Sequence, residues 1–340
     1  MSAPVSQRYA DLNVTLTVGS PPVVEPTAPV DPADAVAWLS ERAEQLGAVL
    51  RDEGVFLVRG LGLDTPERVG QAARVFIGEP IAERESFAKR RSYGDHVYSG
   101  SEWSADQPMC MHHEVSYARV VPSTIVFGCL RAPAVGGCTA VADAQQVLKA
   151  LPERLVSRFE TEGWILTRNY GGVVGVPWQD AFGTGDRAGV EEYCRANGIE
   201  TTWRPDGTLR TRQRRNAVLR HPVTGERCWF NQVAFLNEWT LDPVIREYLL
   251  LEFGPDGLPF NSAHGDGEAI GDALVQLIND TYEGLTRRTP WRTGDLMVVD
   301  NVRTAHSREV YEGDREIAVV LGDPLRAEEC AIAPVPDLVS

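Results

Sequence analysis

The sequence has only six cysteines, Cys110, Cys129, Cys138, Cys194, Cys228 and Cys330, with no CxxC pair and no framework spacing. They read as reduced thiols of a cytoplasmic protein. No apolar run approaches the ~18 residues of a membrane span, and the first residues show neither the basic region nor the apolar stretch of a secretion signal. Internal repeats and low-complexity tracts are absent as well. Positive charge is scarce: 33 Lys and Arg face 48 Asp and Glu, a formal net charge of -15. Such a balance argues against nucleic-acid binding. The basic cluster Arg210, Arg212, Arg214 and Arg215 is short and reads as a charged strand edge. Its alternative is a landing site for an anionic substrate or carrier.

Hydrophobic residues make up 43% and charged residues 24% of the 340, ordinary globular usage that allows a substantial core. A single domain over 34–330 is expected, preceded by an extended, proline-rich arm over 1–33. Apolar spacing predicts a helix from Asp34 to Gly54, and others over 189–197, 242–253 and 268–283. Thr65-Pro66 reads as a helix cap followed by a first-turn proline, Asp143 as a cap, and Pro152 as the start of a helix running toward Glu162. Strands are expected over 55–60, 123–130, 139–143, 295–300 and 316–321. The stretch 165–240, rich in Gly, Trp and charge, reads as an insertion covering a site.

The chemistry concentrates in two distant segments. Met111-His112-His113-Glu114 lies in the first, and Asp300-Asn301-Val302-Arg303-Thr304-Ala305-His306-Ser307-Arg308 followed by Arg315 in the second. Two imidazoles and one carboxylate can occupy one face of an Fe(II) octahedron and leave the opposite face open. On a strand, residues i and i+2 share a side, so His112 and Glu114 can grip one ion while His113 faces away into packing. His306 must then arrive from a distant strand, as in a barrel or jelly roll. Arg315 supplies a planar fork suited to a carboxylate. His221 and His264 sit in turn-like sequence and read as solvent-facing.

With these residues in view, the chain resembles the Fe(II)/2-oxoglutarate dioxygenases of the taurine dioxygenase and clavaminate synthase-like family. The resemblance runs from about Val55 to Leu321. It is densest at Tyr98 to Trp103 continuing to His112 through Tyr117, at Pro133 to Thr139 with Asp143, and at Gly294 to Asn301 with His306 and Arg315. It implies a mainly β fold with flanking helices, the double-stranded β-helix or jelly roll. It also implies Fe(II) held by His112, Glu114 and His306, and 2-oxoglutarate held by Arg315 and Thr139, with O₂ as second co-substrate.

The resemblance further implies oxidation of an aliphatic C–H, chiefly hydroxylation. Related halogenases replace the carboxylate ligand with a small residue, and Glu114 is intact here. Taurine-oxidising members carry a second arginine four residues after the 2-oxoglutarate arginine, where this chain has Val319, so taurine is disfavoured. The Ser99-to-Trp103 segment and Trp229-Phe230-Asn231-Gln232 look like the branch of amino-acid β-hydroxylases of non-ribosomal peptide and antibiotic biosynthesis. That branch points to an amino-acid-like substrate, free or tethered to a carrier protein, with Ser101, Glu102, Asn231, Gln232 and Arg308 as candidate substrate contacts. Desaturation or cyclisation by the same ligand set, a non-catalytic regulator of the same fold, and a zinc hydrolase stay open at this level.

Overall fold

The computed structural model describes residue 9 and residues 12–82, 84–171 and 175–338. Its centre is an eight-stranded sheet in the spatial order Val14–Thr15, Val23–Val24, Val55–Val58, Leu296–Asp300, Val120–Arg131, Glu316–Arg326, Val97–Ser99 and Ser92–Gly94. All neighbours are antiparallel except Val23–Val24, which runs parallel to Val55–Val58. Facing it is a three-stranded sheet, Met109–His112, Thr304–Arg308 and Thr139–Asp143. Two sheets built from chain-distant strands make the jelly roll expected from the sequence.

The central strands read as unbroken apolar runs because both of their faces are covered. Val55, Leu57, Ile125, Phe127, Met297, Val299, Ile317 and Val319 join the interior between the sheets. Their alternates Phe56, Val58, Val126, Leu296, Val298, Ala318 and Val320 pack under three helices. These are Ala35–Glu41, Ala43–Glu53 and Pro66–Ala73. Each residue pair along the strand thus serves two cores, as a two-residue period requires.

Several local expectations are met. Thr65 caps Pro66–Ala73 through the Arg68 amide, and Asp143 caps Ala144–Ala150 through the amides of Gln145 and Gln146. Others are corrected. The helix read as continuous from Asp34 to Gly54 breaks at Arg42, whose φ of -115° and ψ of 11° are not helical. The helix placed over 268–283 runs Asp272–Leu285. Within the proline-rich arm, Val14–Thr15 and Val23–Val24 extend the large sheet.

Residues 165–240, expected as a covering insertion, supply most of a second sheet ordered Ile199–Trp203, Leu209–Arg215, Trp164–Tyr170, Phe260–His264. The last strand comes from beyond the expected limits of the insertion. Leu209–Arg215 lies inside this sheet rather than on its edge, which corrects the reading of the arginine cluster. Its alternation buries Thr211, Gln213 and Arg215 on one side. Arg210 and Arg212 pair with Asp256 and Glu200 on the other. Among the described residues, no helix is long and apolar enough to cross a membrane.

The junction of helix Glu153–Glu162 with strand Trp164–Tyr170 depends on Gly163, at φ 70° and ψ -156°. A Cβ there would meet the Arg215 carbonyl oxygen at 2.4 Å. Gly163→Ala is expected to lower stability by roughly 2 to 3 kcal/mol, read as a shifted urea midpoint with an unchanged slope.

Candidate metal centre

The three-stranded sheet sets His306 directly opposite His112, with Arg308 opposite Thr139 on the other side. Directly opposed residues of an antiparallel pair lie close enough for their side chains to touch. The two imidazole rings are 4.3 Å apart between centroids. Glu114 arrives differently from the sequence expectation. The strand ends at His112, and Glu114 opens a turn rather than continuing the strand. Val115, next in the chain, takes φ 57°, a left-handed conformation unusual for a β-branched residue and one that persists only where neighbours impose it.

The neighbour responsible is Asn301. Its side-chain oxygen accepts from the Glu114 amide at 2.8 Å, and its Nδ2 donates to the carbonyls of Glu114 at 3.0 Å and Pro122 at 2.7 Å. Its own carbonyl lies 2.6 Å from His113 Nδ1. A residue of the second segment therefore clamps the first. His113 is fully buried and faces away from the ligands, as expected.

The ligand atoms of His112, Glu114 and His306 all lie within 4.8 Å of one another, and all three residues are buried. His112 Nδ1 donates to the Cys110 carbonyl at 2.8 Å, which leaves Nε2 with a free lone pair. Glu114 Oε2 lies 3.4 Å from His306 Nε2, while Oε1 accepts from Arg90 Nη2 at 3.0 Å. Burial and the neighbouring His306 push the His112 imidazole down to about 3, so it is neutral at ordinary pH. Burial alone would push the Glu114 carboxyl up, but Arg90 and the two imidazoles outweigh it and hold it below the usual carboxylate range. A neutral His112 imidazole beside an ionised Glu114 carboxylate is the state in which these two groups can bind a divalent ion. Two nitrogens and one oxygen suit iron(II) and leave coordination positions open.

The cavity over these ligands is lined by Ser101, Met109, Phe127, Thr139, Arg315 and Val319, and by Arg90 and Arg308. Arg315 donates through Nε to the Gly137 carbonyl at 2.9 Å and through Nη2 to Thr139 Oγ1 at 3.2 Å. Thr139 Oγ1 also accepts from Trp291 Nε1 at 3.2 Å. With both acceptor positions engaged, its O–H can turn toward a ligand. Burial and Arg308 lower the Arg315 guanidinium to about 10, still cationic at neutral pH. An anion bound there relieves both effects.

The substrate candidates separate. Ser101 lines the cavity, and Glu102 borders an adjoining cleft that reaches Arg308 and Arg315. Arg308 lines the cavity too, while its guanidinium staples the carbonyls of Trp103, Ser104 and Gln107. Asn231 and Gln232 face backbone instead, donating to the carbonyls of Ala217 at 3.0 Å and His113 at 2.7 Å. His221 and His264 are buried, not solvent-facing, and His221 Nε2 lies 2.7 Å from Asp300 Oδ2. The sequence reading missed Arg90, Trp291 and Phe235, whose ring stacks on His112 at 4.8 Å. None of them lies in a recognisable spacing, and only the tertiary fold brings them here.

Asn301→Ala removes three side-chain hydrogen bonds from fully buried backbone groups. It is expected to lower stability by about 3 kcal/mol or more, and to weaken metal binding at least tenfold by freeing Glu114. Urea unfolding and anaerobic Fe(II) titration would check both.

The dapdiamide synthesis protein DdaC of Enterobacter agglomerans is 32% identical over 310 residues, spanning 91% of this chain and 94% of its own. A clavaminate synthase-like protein of Arabidopsis thaliana is 24% identical over 318 residues, spanning 88% of this chain and 93% of its own. Among solved structures, PvcB of Pseudomonas aeruginosa has the same fold, with a TM-score of 0.56 at 16% identity over 96% of this chain and 97% of its own. So does a putative alpha-ketoglutarate-dependent taurine dioxygenase of Burkholderia xenovorans, with a TM-score of 0.54 at 16% identity over 93% and 92% of the two chains. Residues 17–321 match the family described as taurine catabolism dioxygenase TauD, TfdA, and the chain belongs to that dioxygenase family.

Proposed function

We propose that this iron(II)- and 2-oxoglutarate-dependent dioxygenase hydroxylates an aliphatic C–H of an amino acid or amino-acid-derived intermediate in natural-product biosynthesis, in the cytoplasm. The observation that carries the metal assignment is the convergence of His112, Glu114 and His306 within 4.8 Å beside Arg315. The biosynthetic setting is supported by the relative named for dapdiamide synthesis. PvcB, described as an Fe, alpha-ketoglutarate dependent oxygenase from an isonitrile synthetic pathway, points the same way.

Iron(II) held by His112, Glu114 and His306 would supply, with 2-oxoglutarate and O₂, an oxidant able to attack an unactivated C–H. The chain itself binds, orients and excludes water. Arg315 and Thr139 would take the distal carboxylate of 2-oxoglutarate. The Gly137 carbonyl fixes the guanidinium from behind, so little side-chain freedom is lost when the ligand arrives. Phe127 and Val319 give that ligand apolar walls. Val319 brings no charge where a sulfonate would need one, which supports a substrate other than taurine.

Ser101, Glu102 and Arg308 stand at the open side, where an amino acid with both charge signs could be oriented. Arg308 acts there partly by holding the backbone of 103–107 in place. The reaction carbon is chosen by substrate placement rather than by the ligand set.

Anaerobic Fe(II) and 2-oxoglutarate should give the visible chelate band in the wild type and none in His306→Ala. Arg315→Met should bind 2-oxoglutarate about 10- to 100-fold more weakly while staying folded, the loss of a charge-assisted contact of ~1.5 to 3 kcal/mol. The substrate class is checked by O₂-dependent succinate release with free and carrier-tethered amino acids. No stimulation above background by any of them would remove the amino-acid reading.

A further inference from the structure

Glu85 is fully buried and takes φ 58°. A non-glycine residue stays there only if its surroundings hold it, and the four-stranded sheet with its helix does so from several elements. Tyr193 Oη, on helix Arg187–Ala196, donates to Oε1 at 2.9 Å, and Gln213 Nε2, on strand Leu209–Arg215, donates to Oε2 at 3.2 Å. Arg168, on strand Trp164–Tyr170, donates to the carbonyls of Glu85 and Ser86 and lies 3.5 Å over the Phe87 ring. The Ser86 amide donates to the Ala181 carbonyl at 3.3 Å, and Lys89 pairs with Asp180 at 3.0 Å.

This tethered loop ends on the metal centre. Arg90, five residues past Glu85, donates to Oε1 of Glu114, while Oε2 of the same carboxylate faces His306. The two oxygens thus have different partners. Moving Oε1 onto an ion would set the ion against Arg90 for the electron density of one oxygen and weaken a charge-assisted hydrogen bond in a buried site. A second carboxylate oxygen on the metal would take a position that the co-substrates need.

We propose that Glu85 is a positioning residue: anchored by Tyr193 and Gln213, it holds Arg90 on Oε1 of Glu114, so that Glu114 offers the metal one oxygen and leaves the adjoining positions to 2-oxoglutarate and O₂. The four-stranded sheet with its helix thereby sets the orientation of a ligand it does not supply. The inference rests on the metal-centre reading above.

The test uses full-length protein loaded anaerobically with Co(II) as a spectroscopic ion and titrated with 2-oxoglutarate. Arg90→Met should alter the Co(II) absorption and raise the Kd for 2-oxoglutarate about tenfold, the usual effect of removing a partner of a metal ligand. Glu85→Ala should shift both in the same direction. The double variant should be no worse than Arg90→Met alone, because residues acting through one contact are not additive. Amide exchange over 84–91 in metal-free Glu85→Ala should be faster than in the wild type. Should Glu85→Ala fail to fold, Tyr193→Phe replaces it, with a smaller shift that disappears in the Arg90→Met background. Unaltered binding and spectrum in the Glu85 or Tyr193 variant, or additive effects in the double variant, would overturn the inference alone. A wild-type protein that bound neither Co(II) nor 2-oxoglutarate would defeat the functional reading and this inference with it.

Discussion

The register of the three-stranded sheet is the constraint on which the site depends. A slip of one residue between Met109–His112 and Thr304–Arg308 would turn either His306 or His112 to the opposite face. The same slip on the other side would part Arg308 from Thr139. The register is also tied from outside the sheet, where Asn301, three residues before the His306 strand, holds the turn after His112. One buried amide thus couples the two segments that carry the ligands, and the strained Val115 conformation persists because that amide leaves the turn no alternative.

Electrostatics follow from the same arrangement. Burial keeps the His112 imidazole neutral, and Arg90 leads the contacts that hold the Glu114 carboxyl below the usual carboxylate range. The cavity places this pair of tendencies beside Arg315, itself disfavoured by burial and by Arg308. A divalent cation and a dianionic co-substrate together answer every one of these imbalances. Buried charges without such partners would be costly to keep, which makes the charge pattern an argument for the ligands.

Much of the fold was legible because its signals are local. The unbroken apolar strands, the Thr65 and Asp143 caps and the helix after Pro152 are set by residues within a few positions of each other. The misreadings share one cause. Arg210 to Arg215 look like an edge because they are charged, yet strands pair on both sides of them, Arg210 and Arg212 find acidic partners in Asp256 and Glu200, and Arg215 donates to the Tyr117 carbonyl. His221 looks exposed because it precedes a proline turn, yet Asp300, distant in sequence, takes its proton-bearing edge. Asn231 and Gln232 look available for a substrate, and buried carbonyls claim them first.

The sequence by itself determined the donor types, the order of the two ligand segments, the arginine for a carboxylate and the absence of a cation at Val319, because these are properties of residue identity and spacing. Only the tertiary structure decided how Glu114 joins His112 and His306, since a turn tied by Asn301 replaced the strand that spacing implied. It alone brought Arg90 to the cavity, Phe235 against the His112 ring and Trp291 to Thr139. These contacts join residues far apart in the chain, and no periodicity along the sequence records a distance that exists only after the sheets have packed.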